Sequence, residues 1–216
     1  DNTKDIIGRV SLKPYHLSKA VIVSAGASVL MGGLQNNTKY IYNTITEGGV
    51  KKEKIDSAVS NVGTVSPRKY FGGDLQLKYK NRKGLVSELR AELIAGKQTG
   101  TGSGSETPLA LLSGVDGFHV RNFNGANFYF LQNIFSTHHQ LIIKYDWYDP
   151  NENIKKNDIG AAGSNFTAAN IKYTTLGVGY INYITDNVKL VVYYDRVWNE
   201  KTLLSGFTSD VDDNVF

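Results

Sequence analysis

Eight stretches of this chain alternate apolar and polar residues with a period of two, and this alternation constrains the fold more than any other feature. In one of them Leu75 and Leu77 fall on one side and Gln76 falls on the other. Successive side chains of a strand point to opposite faces, so the period indicates strands with one apolar and one polar face. The eight predicted strands occupy residues 8–13, 21–29, 71–79, 85–93, 126–130, 141–148, 175–180 and 189–195.

The connections between these strands are alternately short and long. The short ones lie near 14–19, 80–84, 135–139 and 185–187, and the long ones are 35–66, 97–122, 150–169 and the stretch from 199 onward. Bacterial outer-membrane barrels have short periplasmic turns and long external loops. A soluble sandwich has no reason to keep every long loop at one end. The lengths therefore favour a transmembrane antiparallel β-barrel whose long loops face outward.

Composition is consistent with this fold class and excludes several others. The 216 residues include 13 Tyr, 9 Phe and 22 Gly, and aromatic side chains suit a pleated surface. No run of about 18 apolar residues occurs, which excludes a transmembrane helix. There is no Cys and hence no disulfide framework, and a net charge of +4 is too small to predict a nucleic-acid partner. Aromatic residues near strand ends fit an interfacial girdle: Tyr79, Tyr145, Trp147, Tyr180 and Tyr194.

Full charges lie in mid-strand on the polar faces, and rings of charge select ions in channels. The predicted pore-lining residues are Arg9, Lys13, Asp74, Lys78, Glu88, Arg90, Glu92, Lys144, Asp146, Lys189 and Asp195. Six are basic and five are acidic, which leaves one net positive charge and a weak preference for anions. The alternative is that these charges pair with one another and only solvate a wall. In a soluble sheet they would simply face water.

Three segments carry a family resemblance. They are 121–125 (Arg-Asn-Phe-Asn-Gly), 139–151, which contains Lys-Tyr-Asp-Trp-Tyr-Asp-Pro-Asn, and 191–202, and the Gly-Arg-Val-Ser at 8–11 fits with them. Together they resemble the C-terminal half of the phosphate-selective porin O and P family, in its Bacteroidetes-type form. The resemblance covers the whole chain, and its most specific stretch is 144–151.

The resemblance implies a trimeric, sixteen-stranded outer-membrane barrel that conducts anions. Residues 1–216 would be a single β-barrel region, a C-terminal part of about half the barrel, with 212–216 approaching a closing strand that is absent. The family's phosphate specificity rests on a ladder of lumenal arginines and a lysine cluster. Of the six arginines here, only Arg9 and Arg90 fall on the predicted polar faces. A general pore with a slight anion preference is therefore favoured over a dedicated phosphate site.

Neither an enzyme nor a cofactor is expected. The chain has four His and no Cys, and it contains no nucleophile-elbow motif. The oxygen-rich stretch 149–153 lacks the glycine and the bidentate glutamate of a calcium loop, and His138-His139 has no carboxylate cluster nearby, so no metal site is expected. The Gly-rich stretch 100–105 lacks the lysine of a phosphate-binding loop and is predicted to be flexible.

The sequence thus predicts a bacterial outer-membrane porin, a homotrimer in contact with lipid, that passes small and preferably anionic solutes by passive diffusion. Two alternatives remain at this point. One is a self-closed eight-stranded barrel that acts as a structural anchor or adhesion surface, since eight strands leave an interior that side chains can fill. The other is a soluble ligand-binding barrel.

Overall fold

Ten strands make up almost all of the regular structure. The structure is a computed structural model that describes residues 4–105 and 117–215. The strands are β1 (Ile6–His16), β2 (Val21–Gln35), β3 (Ile41–Glu47), β4 (Val50–Asp56), β5 (Val65–Lys80), β6 (Val86–Gly100), β7 (Phe118–Asn133), β8 (His139–Asp149), β9 (Tyr173–Thr185) and β10 (Val188–Asn199). Two short 3₁₀ turns, Val59–Asn61 and Ala168–Asn170, lie in the loops.

Eight of these strands form one antiparallel sheet in the order β1-β2-β5-β6-β7-β8-β9-β10. Seven of the eight strands predicted from the alternation lie within one of them, and the eighth, 85–93, starts one residue before β6, so the all-β antiparallel fold is confirmed. In the described part of the chain the sheet is not closed, because β1 pairs only with β2 and β10 pairs along its length only with β9. At the free edge of β10, Val215 forms a single antiparallel bridge with Asp195.

The long connection predicted at 35–66 contains the hairpin β3–β4, which the sequence analysis did not identify. Gly48 and Gly49 form its turn with φ values of +61° and +81°. Positive φ at both central residues is what a two-residue type I′ hairpin requires. β4 carries Lys51-Lys52-Glu53-Lys54, and this run of charges concealed the strand from an alternation argument. β3 pairs in parallel with the first residues of β7, beyond the end of β8.

The sheet also extends further toward the long loops than the alternation indicated. β6 continues to Gly100 and β7 begins at Phe118, so the two ends of the predicted loop 97–122 are strand. The middle of that loop, 106–116, lies outside the described residues. Polar residues such as Lys97 and Asn122 occupy apolar-face positions near the strand ends, and for that reason the pattern stopped short of them.

One face of the sheet, called here the apolar face, leaves its large side chains exposed. Val10 is 79% exposed and Leu93 is 55% exposed. The main buried apolar cluster instead lies among the loops, where Ile154, Ile159, Phe166 and Ile171 pack with residues Tyr173, Leu204 and Phe207. Burial of apolar surface from water is the main favourable contribution to folding. This sheet places its core in the loops and leaves a broad apolar surface on its strands.

Within the described residues, no helix has the length and apolar character needed to cross a membrane.

Candidate functional site

The opposite side of the sheet, called the polar face, carries the charges singled out in the sequence. All eleven predicted pore-lining residues lie in strands, and cross-strand register aligns them. Asp74 stands opposite Glu92, and Lys78 stands opposite Glu88. Because side chains alternate strictly along a regular strand, both rows project from one face. Lys13 follows Leu12 at a register shift in β1, near the short-turn end of that face.

Glu88 is the centre of the first charge cluster. Its carboxylate accepts hydrogen bonds from Gln76 and Arg90, and Lys78 Nζ lies 3.6 Å from Glu88 Oε2. The Glu88 side chain is only 7% exposed, whereas Lys78 and Arg90 are nearly half exposed. The acid is thus covered by its partners, and the positive charges form the accessible surface of the cluster.

Lys144 is the centre of the second cluster. Its ammonium group donates to Asp195 Oδ2 at 3.1 Å and forms an ion pair with Asp146 Oδ2 at 2.9 Å. The single Lys144 cation is shared by two carboxylates, Asp146 of β8 and Asp195 of β10. This cluster therefore carries one net negative charge, in contrast to the Glu88 cluster.

A hollow of about 510 Å³ opens on the polar face beside Asp146 of the Lys144 cluster. Arg9, which is bound to Asp74 at 2.7 Å, lines it together with Glu92, Asn127 and Asp146. Within the described residues Glu92, Lys13 and Lys189 have no ion pair within 4.0 Å. Most of the predicted pore-lining charges are therefore paired with one another, and the sequence had left this alternative open.

The polar face also carries an apolar patch toward the short turns. Leu131, Ile142 and Ile181 are buried there and pack with Tyr193 among other aromatic rings. The side chain of Tyr193, on β10, occupies the space that a Cβ at Gly177 or Gly179 of the neighbouring strand β9 would fill. The two glycines therefore let the Tyr193 ring lie flat on the sheet.

A buried charge cluster at the long-loop end was not found from the sequence. Glu53 of β4 lies with its Oε1 atom 2.7 Å from His119 Nδ1 and 4.0 Å from Arg121 Nη2. Arg121 is 1% exposed and donates to the carbonyl oxygens of Thr101 and Gly104. We refer to Glu53, His119 and Arg121 as the clasp, because together they tie the hairpin and the 101–104 turn to β7.

Other contacts reinforce this attachment. The ring of Tyr42 stacks on His119 with the centroids 4.2 Å apart. Glu53 donates its backbone N–H to the carbonyl oxygen of Ser164, which fixes β4 to the 150–172 loop. At the hairpin tip, Lys52 donates a hydrogen bond that holds the pKa of the Glu47 carboxyl below its ordinary value. Part of the supposedly flexible 100–105 stretch is thus held by the clasp.

The placement of the arginines requires a correction. Arg68 and Arg121 lie in unbroken register with Asp74 and Leu131, so they share the polar face with Arg9 and Arg90. The sequence analysis had placed Arg121 in the 97–122 connection and had assigned Arg68 to no strand. The sequence did contain a signal for Arg121. Arg121, Phe123 and Tyr129 are separated by even numbers of residues, so extending the predicted strand back to 121 places Arg121 on the polar face with Tyr129. No pattern pointed to Glu53. Each added cation has an acidic neighbour, Asp5 for Arg68 and Glu53 for Arg121.

Comparison with protein-family models, with curated proteins and with solved structures finds no match to this chain.

Proposed function

We propose that this chain forms part of the wall of a transmembrane β-barrel in the bacterial outer membrane, and that the barrel is a porin for small solutes. One observation carries the proposal: the sheet of eight adjacent strands exposes apolar side chains on one face and carries polar and charged side chains on the other. In water such an apolar face would be an aggregation liability, since soluble monomers rarely expose apolar patches beyond a few hundred Å². In a barrel wall it faces hydrocarbon, and the polar face lines water.

The arrangement of the connections supports the same proposal. All turns at one end are short, while the hairpin and the loop core gather at the other end. In outer-membrane barrels the long loops are external. The resemblance to the phosphate-selective porin family adds a sixteen-stranded homotrimer, of which this chain would supply about half of each barrel.

The anion preference that we propose is weak. Arg9, Arg68 and Arg121 each have an acidic neighbour, and Lys144 serves two aspartates. Paired charges cancel most of their field at a distance. The accessible cations of the Glu88 cluster, Lys78 and Arg90, then supply the preference for anionic solutes. Two cations around one buried carboxylate do not form a phosphate site.

Planar-bilayer recording of the full-length protein tests this function. We expect stepwise conductance and a reversal potential that indicates a slight preference for anions. Arg90→Glu should shift that potential toward cations, because Arg90 is a half-exposed cation of the polar face. Arg82→Glu makes the same charge change in the short turn between β5 and β6 and should shift it little. An unchanged potential in Arg90→Glu would remove the residue-level basis of the anion preference.

A second candidate is a self-closed eight-stranded barrel that acts as an anchor or adhesion surface. It is favoured by the side chains that fill the polar face, namely the ion-pair clusters and the Tyr193 patch. Eight strands leave an interior that side chains can just fill. Such a barrel would insert into bilayers without conducting, so the same recording separates the two candidates.

A further inference from the structure

Two lysines lie directly opposite each other on the apolar face. Lys69 of β5 and Lys97 of β6 are cross-strand partners, and both are exposed. In the described part of the chain neither has an acidic partner. Like charges placed directly opposite on a sheet are destabilising. The pair therefore opposes folding unless an anion lies between the two ammonium groups.

The position of the pair along the strands suggests what that anion is. Tyr79 stands opposite Ser87 near the short turn, and the lysine pair is ten residues further along both strands. At a rise of about 3.4 Å per residue and a tilt of about 45°, this separation corresponds to ~24 Å along the membrane normal. The apolar band of an outer-membrane barrel is about 25 Å tall. In the proposed barrel the lysines lie where the hydrocarbon ends and the headgroups begin.

Two other cations near this end of the apolar face have partners. Lys172 lies over the ring of Trp147 at 5.8 Å from its centroid. Arg196 lies over Trp198 and is bound to Asp210 at 3.1 Å. Near the short turn, the apolar face of β5 and β6 carries no lysine or arginine. The lysine pair is thus a local feature of the outer end.

We propose that Lys69 and Lys97 together bind the phosphate group of an anionic lipid headgroup in the outer leaflet. The site rests on the proposed function, because it requires the apolar face to lie in a bilayer. A phosphate oxygen accepts strong hydrogen bonds from an ammonium group, and one phosphate between the two lysines removes their mutual repulsion. Each lysine near a membrane surface favours an anionic lipid about fivefold.

The absence of cysteine from the chain permits a local test. Asn122 on β7 stands next to Lys97 on the apolar face, so Asn122→Cys carries a fluorophore beside the site. The labelled full-length protein is folded into phosphatidylcholine vesicles that contain spin-labelled phosphatidic acid or, separately, spin-labelled phosphatidylcholine. We expect severalfold stronger quenching by the spin-labelled phosphatidic acid. This preference should disappear in the Lys69→Gln/Lys97→Gln variant, which loses a repulsion and therefore folds.

Matched variants and conditions decide between the outcomes. Arg82→Gln/Lys83→Gln removes two cations at the short turn and should keep the preference. Equal quenching by both lipids would overturn the lipid site while the barrel proposal stands. No quenching by either lipid would overturn the barrel proposal itself. Added inorganic phosphate should leave the preference intact, and its abolition by free phosphate would show a general anion site instead of a lipid site.

Discussion

Replacing Leu93 by arginine tests whether the apolar face lies in a membrane. Leu93 is 55% exposed, and its cross-strand neighbours on the apolar face are Gly73 and Ala126. On the surface of a soluble protein such a substitution changes the free energy of unfolding by about 0.5 kcal/mol or less, because little packing is lost. In hydrocarbon, the charge itself must be desolvated.

The size of that cost follows from the depth of Leu93 in the proposed barrel. Leu93 is six residues from Ser87 and four residues from Lys97 along β6. With the same rise and tilt as above, it lies ~14 Å from the inner boundary and ~10 Å from the outer one. Near the midplane, an arginine on the lipid face of a barrel costs about 2–4 kcal/mol. We expect Leu93→Arg to destabilise the protein by that amount.

The neighbouring residue supplies the control. Glu92 is exposed on the polar face opposite Asp74, so Glu92→Arg introduces the same side chain one residue away without entering lipid. Its effect should stay below ~1 kcal/mol, as for exposed ion pairs. Both variants are measured by guanidinium unfolding in phosphatidylcholine vesicles, followed by tryptophan fluorescence. Equal effects of the two variants would refute the membrane placement, and a larger cost for Glu92→Arg would mean that the faces are reversed.

Three further predictions concern the rest of the molecule. Glu53→Ala leaves the buried Arg121 without an acidic neighbour, a loss of about 3–5 kcal/mol for a broken buried pair, and we expect faster tryptic cleavage of the hairpin. Gly179→Ala forces the Tyr193 ring off the sheet and should lower the free energy of unfolding by about 1–3 kcal/mol in denaturant titration. Burial and the nearby Asp149 raise the pKa of the Glu200 carboxyl above its ordinary value. Glu200 therefore stabilises the fold below its unfolded pKa, and this contribution is lost as the pH rises through its folded pKa. Glu200→Gln should reduce the pH dependence of the rate at which a protease cleaves the loops.

Each of these has a matched comparison. Glu47→Gln alters an exposed carboxylate at the tip of the same hairpin and should not change the tryptic cleavage rate. Gly73→Ala adds a methyl group where the nearest atom is 4.0 Å away, so its free energy of unfolding should stay near that of the parent. If Glu47→Gln speeds tryptic cleavage as much as Glu53→Ala, the clasp loses its proposed role. If Gly73→Ala lowers the free energy of unfolding as much as Gly179→Ala, the flat Tyr193 ring loses its proposed role. A pH dependence that survives in Glu200→Gln would assign it to another group.

The eight main strands were predictable because their signal is local. Each strand needs one apolar and one polar face, and the alternation of residues such as Leu75 and Gln76 records that requirement directly. The polar face was predictable for the same reason, whereas the register that sets Asp74 opposite Glu92 emerged only from the structure. Strand length was underestimated where polar residues take the apolar-face positions, as at Lys97 and Asn122.

The clasp and the hairpin were decided by contacts between residues far apart in the chain. Glu53 and His119 are separated by 66 residues, and nothing around Glu53 distinguishes it from the lysines beside it. Its burial arises only because β3 adds to the end of β7 and the 150–172 loop covers β4. The sequence by itself determined which residues share a face, since that depends on a period of two along one strand. The tertiary structure decided which charges pair, which charges are buried and where the loops pack. These contacts join strands and loops that are far apart in the chain, and no local period relates them.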